Sequence, residues 1–510
     1  MSKFNETVES TPLVNHMGEK AYKQTPKEEL IFACLTTFVE SSYYEAKDTR
    51  LDRIKTLVAQ VAKKDPEFVA KLAIYARREF HMRSIFPVLI GELSKNTSGN
   101  DVVRRAIRAG TTRVDDLTEL AAYVGPKKMK SSMKRGIADA LNKFGEYEMA
   151  KYKSDDKDVS LVDLVNLVHP KANNQETASA LKKLMTGELK NVDTWESQMS
   201  AGKSALETFS GLMDQNKLGY MALLRNLRNI LKTGDSTLIK RAADMISNPE
   251  QVRRSKQLPF RFLSAAKALQ EMGKDKEMLK FEKDIDHNQL LVDAVDKALT
   301  VSVQNIPLLT GRTMILSDNS GSMGGSAGGS AVSAMSSVQS ADIANLFATL
   351  YWTRAENTMV GLFGDKLVNP NLDRSKGVLE NFKKITKEAG KCGPGTETGV
   401  FNAFESLIAT KTMVDRIVIF SDCQVGRGCK FYDDKGRQAA SFNTLFNQYR
   451  KINPNVKVYT VDLKGYGNSM TTDDGMLKIT GWSDKIFSIM ESNELRPGAM
   501  VSEVEKVSLN

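Results

Sequence analysis

Apolar residues along the first 300 positions recur every third or fourth place. I-F-A-C-L-T-T-F-V and E-F-V-A-K-L-A-I-Y-A-R show the spacing, and D-V-V-R-R-A-I-R-A and S-L-V-D-L-V-N-L-V repeat it with polar residues between. That period lays one apolar stripe along a helix. Breaks such as K-N-T-S-G-N, Y-V-G-P and L-K-T-G-D separate the segments as turns separate helices. The pattern predicts about a dozen helices with no strand among them, stacked in pairs as an alpha-solenoid, although no fixed repeat length is legible. After Val303 the pattern changes. R-T-M-I-L-S, N-T-M-V-G-L-F, D-R-I-V-I-F-S-D and V-K-V-Y-T-V-D-L read as short strands, and S-A-D-I-A-N-L-F-A-T-L-Y-W, G-V-F-N-A-F-E-S-L-I and Q-A-A-S-F-N-T-L-F-N-Q-Y read as helices between them. Apolar strands in alternation with helices predict an open parallel alpha/beta sheet covered on both faces, with ligand groups at the carboxyl ends of its strands.

Those strand ends carry the candidate chemistry. Asp318, Ser320 and Ser322 form D-x-S-x-S after one predicted strand, Thr396 stands in G-T-E-T before a predicted helix, and Asp422 ends I-V-I-F-S-D. Two carboxylates and three hydroxyls are hard oxygen donors suited to magnesium, manganese or calcium. Gly321, Gly324 and Gly325 would let the loop bend tightly. An ordinary Asp-Asn-Ser-Gly turn is the competing reading of the loop alone, and the small-residue stretch after Gly325 receives no assignment.

Charge changes the picture of the helical part. The chain's 510 residues carry a formal +10, about +8 of it before residue 301. Lys71 to Arg113 holds nine basic and three acidic residues, Pro126 to Lys153 eight and three, and Ala222 to Lys267 ten and three. Such clusters suit a polyanion, and a solvated helical surface is the alternative. Arg77, Arg78, His81 and Arg83 are spaced so that several can share a helical face; solvation, with His81 packed or capping, competes with contact to a polyanion. Semi-buried pairing between helices competes for Arg225 and Arg228. The four histidines lie apart, no zinc pair or phosphate-binding loop is present, and four cysteines do not make a disulfide framework. Cys392, Cys423 and Cys429 are a weak candidate for a thiol centre. No apolar run approaches a membrane span and the first residues do not read as a secretory signal, so a cytoplasmic location is expected.

D-N-S-G-S-M, G-T-E-T and F-S-D in this setting resemble the metal-ion-dependent adhesion site of von Willebrand factor A domains, over roughly Val303 to Val501. The resemblance implies that Asp318, Ser320, Ser322, Thr396 and Asp422 hold a divalent ion, foremost magnesium, that mediates binding and not hydrolysis. K-R-G-I-A-D-A-L-N-K-F from Lys134, A-K-Y-K at Ala150, L-V-N-L-V-H-P-K ending at Lys171, M-A-L-L-R-N-L-R-N-I from Met221 and R-R-S-K-Q-L-P-F-R-F-L-S-A-A-K-A-L from Arg253 are similar to segments of the TROVE module. With an A-type domain behind it, that module makes up the Ro ribonucleoprotein family.

This second resemblance implies HEAT-like helical repeats closed into a ring, with a helical RNA-binding domain at 15–302 and an A-type domain at 303–501. It implies a monomer that binds small noncoding Y-type RNAs on a basic outer surface and single-stranded 3' ends in a central hole, in RNA quality control or as an adaptor to an exoribonuclease. Lys151 and His169 match the family's hole-lining lysine and histidine. Asp155 and Asp156 stand where relatives carry an arginine, and a helix-ending cap is the other reading of His169. Lys134, Arg135, Arg225 and Arg228 join Arg77, Arg78, His81 and Arg83 as candidate RNA contacts. A metal-dependent phosphodiesterase or nuclease, and a protein-interaction scaffold using the adhesion-site ion, are the alternatives to non-catalytic RNA binding.

Overall fold

The computed structural model describes residues 13–14, 20–21, 25–35, 49–97, 101–153, 158–190, 192–257, 259–274, 282–324, 339–395, 398–423, 442–464, 476–480, 486–495 and 499–509. The chain packs as two compact units, one of residues 24–197 and 489–510, the other of 1–23 and 198–488. The division does not follow the change of period near residue 302, because the helices after residue 204 pack in the same unit as the sheet.

In the first unit the predicted stripes become two layers. Pro66–Arg78 packs on Asp101–Gly110, which packs on Ser131–Leu141, which packs on Leu161–Val168. Thr49–Ala62, Ile85–Asn96 and Asp115–Val124 form the other layer. Pro66–Arg78 begins where a local donor problem is solved: the Asp65 carboxylate accepts from Phe68 N, and Pro66 follows at the first helical position, where no amide hydrogen is needed. Gly136 sets one close approach, since a Cβ there would meet Arg104 Cα at 3.0 Å. The last helix, Ala499–Glu505, returns onto Pro66–Arg78 and is held by Lys71 Nζ on the Glu505 carbonyl at 2.7 Å.

Two devices fasten the layers. Asp116, fully buried, accepts Arg77 Nε at 3.1 Å on each oxygen and also Thr112 N and Arg113 N, so one carboxylate ties a helix end to the turn of the next pair. The other device satisfies carbonyls that a helix end leaves open. Arg78 Nη2 donates to the Ala109 carbonyl, and Lys143 Nζ donates to those of Arg108 and Thr111, so cations from both neighbours close the end of Asp101–Gly110. Partial burial and the charges of Arg78 and Arg108 hold Lys143 below the ordinary lysine value.

In the second unit a six-stranded sheet is built from β1 (Thr313–Asp318), β2 (Thr358–Phe363), β3 (Leu367–Val368), β4 (Arg416–Ser421), β5 (Lys457–Asp462) and β6 (Met476–Thr480), in the order β3-β2-β1-β4-β5-β6. The expected all-parallel sheet is corrected at one edge: β3 is antiparallel to β2, because the hairpin after Phe363 is too short for a crossover. Alternate residues of β4 serve two cores. Ile417 and Ile419 join Phe404, Phe446 and Tyr449 on one face, and Phe420 stacks on Phe347 of the helix Ser340–Arg354 on the other, ring centroids 5.0 Å apart. Arg416 is buried at the amino end of β4 and donates to Thr313 Oγ1 at 2.8 Å and the Thr310 carbonyl at 2.6 Å. Helix Glu282–Ser302 is joined through Asp296 Oδ1, which accepts Leu379 N at 3.1 Å.

Arg77→Ala leaves Asp116 charged in the interior and is expected to lower stability by about 3–5 kcal/mol, read in urea unfolding by circular dichroism; a loss below about 1 kcal/mol would mean the pair is solvated. Lys143 is held below its unfolded value, so the unfolded chain binds its proton more tightly. Its contribution therefore disfavours the fold while it is charged, and the penalty is relieved as pH rises through the folded value toward the ordinary lysine range. In ε-¹³C-lysine NMR, Lys143 is expected to titrate ahead of the exposed lysines and to move upward in Arg108→Gln; an unchanged titration would dismiss the neighbouring charge as a cause.

Candidate metal centre and nucleic-acid interface

The central strand β1 delivers Asp318 to the carboxyl edge of the sheet, and β4 beside it delivers Ser421 and then Asp422. Asp318 is buried, with Oδ1 accepting Ser320 N at 2.9 Å and Oδ2 accepting Ser421 Oγ at 2.5 Å. The chain then turns through Gly321–Met323 and brings Ser320 Oγ within 3.1 Å of Ser322 Oγ. Gly324 ends the turn at φ 81°, where a Cβ would run into Gln339. Beneath the turn, Asn319 and Asn345 exchange side-chain hydrogen bonds at 3.1 and 2.7 Å, which fixes the direction in which the serines leave the strand. Gly321 N donates to the Pro394 carbonyl at 2.9 Å and so joins this loop to the segment leading to Thr396. Thr396 itself lies outside the described residues, as do the small-residue stretch after Gly324, Cys429, Asp155 and Asp156.

The donor set fits a hard divalent cation. Burial first, and then the negative charge of Asp422, push the Asp318 carboxyl up to about 7. Two carboxylates confined this way repel each other, and a bound cation would lower that cost. Ser320 and Ser322 add neutral oxygens, and no group of three or more His, Cys, Asp or Glu gathers among the described residues. Two supporting residues escaped the sequence reading. Ser421 holds Asp318 and was legible as the residue before Asp422; Lys464, after β5, donates Nζ to the Ser322 carbonyl and left no local signal. The thiols point away from a reactive centre: burial pushes Cys392 up to about 12 and raises Cys423 as well.

The ten candidate RNA contacts divide by environment. Arg77 is only 5% exposed and committed to Asp116, so its place among ligand-facing residues is corrected. Arg83 is partly buried and engaged by Asp115 and Glu119 at 2.5 and 2.7 Å. Lys134 is partly buried, while Arg78, His81, Arg135, Lys151 and His169 are exposed. His169 closes Leu161–Val168 in a left-handed conformation, φ 46°, with its N donating to the Val165 carbonyl, so the cap reading holds for its backbone while its ring stays in solvent. In the second unit Arg225 and Arg228 stand exposed on Tyr220–Leu231, whose Leu223, Leu224, Leu227 and Ile230 face inward; this excludes the semi-buried alternative.

Several of the first unit's cations share one location. Arg78, Arg108 and Lys143 converge at the end of Asp101–Gly110. Asn142 Nδ2 donates to the Lys171 carbonyl at 3.0 Å, tying the end of Ser131–Leu141 to the segment that follows His169. These bonds place the carbonyl ends of neighbouring helices side by side, and cations are favoured at such ends. Arg108 and Lys143 were not singled out from the sequence, since only packing brings them beside Arg78.

Comparison with known proteins agrees with this architecture. The TROVE domain family matches residues 23–191 and 185–305, together more than half of the chain. Telomerase protein component 1 of Rattus norvegicus is 20% identical over 622 aligned residues, covering 87% of this chain and 23% of the rat protein. The Mus musculus protein of the same name is 37% identical over 78 residues, 15% of this chain and 3% of its own length. The chain thus spans about a quarter of the rat relative. Among solved structures, the RO (RSR) protein of Deinococcus radiodurans superposes with a TM-score of 0.64 at 15% identity, covering 95% of this chain and 100% of that one, a likeness of fold. The helical architecture, the family match and the shared fold together make this chain a member of the TROVE domain family.

Proposed function

We propose that this protein is a non-catalytic RNA-binding protein of the Ro-like type, taking small structured noncoding RNA of the Y class and single-stranded 3' ends, and acting in RNA quality control or as an adaptor to a ribonuclease. The observation that carries the reading is the coincidence of the family match with exposed cations held on the same helices: Arg78, Arg108, Arg135 and Lys151 in the first unit, and Arg225 and Arg228 in the second. Positive groups fixed on a rigid scaffold release counterions when phosphates replace them, which supplies affinity without base reading. Closure of HEAT-like repeats into a ring, the division at 15–302 and 303–501, a monomeric state and a cytoplasmic location belong to the same proposal. Among the described residues no helix is long and apolar enough to cross a membrane.

Asp318, Ser320, Ser322 and Asp422, with Thr396, are proposed to hold a magnesium ion, or manganese or calcium in its place. Bound there, the ion would supply a positive docking point for an acidic group of a partner. The residues of the chain keep the loop in place: Ser421 orients Asp318, Gly321 tethers the threonine segment, and Lys464 clamps the Ser322 carbonyl. Two carboxylates with hydroxyl donors form a poor frame for the two-metal clamp of many nucleases.

Equilibrium binding of a structured small RNA with a single-stranded 3' tail is expected to weaken steeply with salt. Arg225→Gln or Arg228→Gln should reduce the log–log slope by about 1 if each meets a duplex phosphate; background-level binding at low salt would overturn the reading. Manganese binding followed by electron paramagnetic resonance should be lost in Asp318→Ala and in Asp422→Ala while RNA affinity stays within about twofold. Metal-dependent shortening of the RNA that disappears in Asp318→Ala would instead establish the nuclease.

A further inference from the structure

We propose that Tyr147, with Lys151 beside it, is a stacking site for one unpaired base of single-stranded RNA. The proposal rests on the RNA-binding reading and adds to it the group that grips a base and not a phosphate.

Helix Glu146–Tyr152 starts at Gly145, whose amide donates to the Glu148 carboxylate at 3.1 Å, and it buries Met149 and Ala150. Tyr147 and Lys151 stand four residues apart, so they share the face turned away from that core. Tyr147 is 58% exposed, the most exposed large apolar side chain among the described residues. A single exposed ring is common on protein surfaces; what distinguishes this one is its neighbours. Lys151 Nζ lies 5.7 Å from the centroid of Tyr147 and 5.7 Å from that of Tyr152. Arg113 Cζ lies 4.5 Å from the centroid of Tyr152. The order is therefore guanidinium, ring, ammonium, ring.

The row is held from one end. Arg113 is fixed by Asp115 through Nε at 2.9 Å and Nη2 at 2.8 Å, and the Asp115 carboxylate is itself buried. Arg113 steadies Tyr152, and the ammonium of Lys151 lies over both tyrosine rings. Tyr147 is the last member of the row and is largely open to water.

The chemistry of the row selects its ligand. An aromatic cage for a methylated ammonium surrounds a cation with rings, but here the Lys151 ammonium already lies over both rings and would repel a second cation. An ordinary duplex keeps its base faces stacked and offers none to a side chain. A single strand offers both required groups, a base to lie on Tyr147 and a phosphate within reach of Lys151, and stacking of this kind tolerates any base. A mononucleotide carries the same two groups once, which makes it a useful competitor.

The test uses the full-length chain with a 12-mer oligouridylate carrying one 2-aminopurine, a blunt RNA duplex and uridine monophosphate. The wild-type protein is expected to change the 2-aminopurine emission on binding. Tyr147→Ala should weaken single-strand affinity by about 5- to 150-fold and leave the salt slope and the thermal midpoint unchanged. Tyr147→Phe should stay within twofold, and Lys151→Gln should lower the slope by about 0.7. Duplex affinity should not respond to Tyr147→Ala, and millimolar uridine monophosphate should compete far less well than the oligomer. Wild-type binding of the oligomer with no loss in Tyr147→Ala would overturn the stacking site while leaving the RNA-binding reading intact. Failure of the wild-type protein to bind either RNA would bring down both.

Discussion

Asp116 is a charge buried at the turn between two helices, and the helical unit is arranged around answering it. Arg77 reaches it from the end of one helix while the amides of Thr112 and Arg113 reach it from the turn. A carboxylate removed from water is tolerated only with such a complete set of donors. Its neighbours follow the same logic: Asp115 and Glu119 take Arg83, and Asp115 takes Arg113. Much of the basic character of this stretch therefore holds the layers together, and the cations left for a ligand are those on outward faces.

The same electrostatic constraint appears in the sheet with the sign reversed. Parallel strands collect their carbonyl ends and the first residues of their loops along one edge. Asp318 and Asp422 are brought there by adjacent strands, buried, and set against each other. Serine hydroxyls and backbone amides partly compensate Asp318, and a cation would complete the compensation. The helical unit resolves buried charge internally, whereas the sheet edge is left fit for an ion from outside. That contrast separates a packing device from a candidate binding site.

How far the site was legible depended on where each residue's partners lie in the chain. Asp318, Ser320 and Ser322 fall within five positions and were readable together, and Asp422 followed from the strand before it. Ser421 was readable in principle, but its bond to Asp318 spans 103 positions. Lys464 is 142 positions from the carbonyl it clamps and carried no signal. Among the basic residues, Arg77 and Arg78 are adjacent and indistinguishable in composition. One is buried against Asp116 and the other exposed at a neighbour's helix end, because successive helical residues point about 100° apart. Tyr147 went unnoticed because a lone aromatic in a polar segment has meaning only beside Lys151, Tyr152 and Arg113.

Periodicity alone determined the helical first part, the alternating second part, the four main strands and the strand ends as the place for a candidate ligand loop. These follow from side-chain direction along a single element, a local property of the chain. Only the tertiary structure decided that the helices after residue 204 pack with the sheet, that β3 runs antiparallel at its edge, and which cations are committed to carboxylates or to helix ends. Those outcomes depend on burial and on partners remote in sequence. Solvation energy is set by the groups that surround a side chain after packing, and composition does not specify which groups those are.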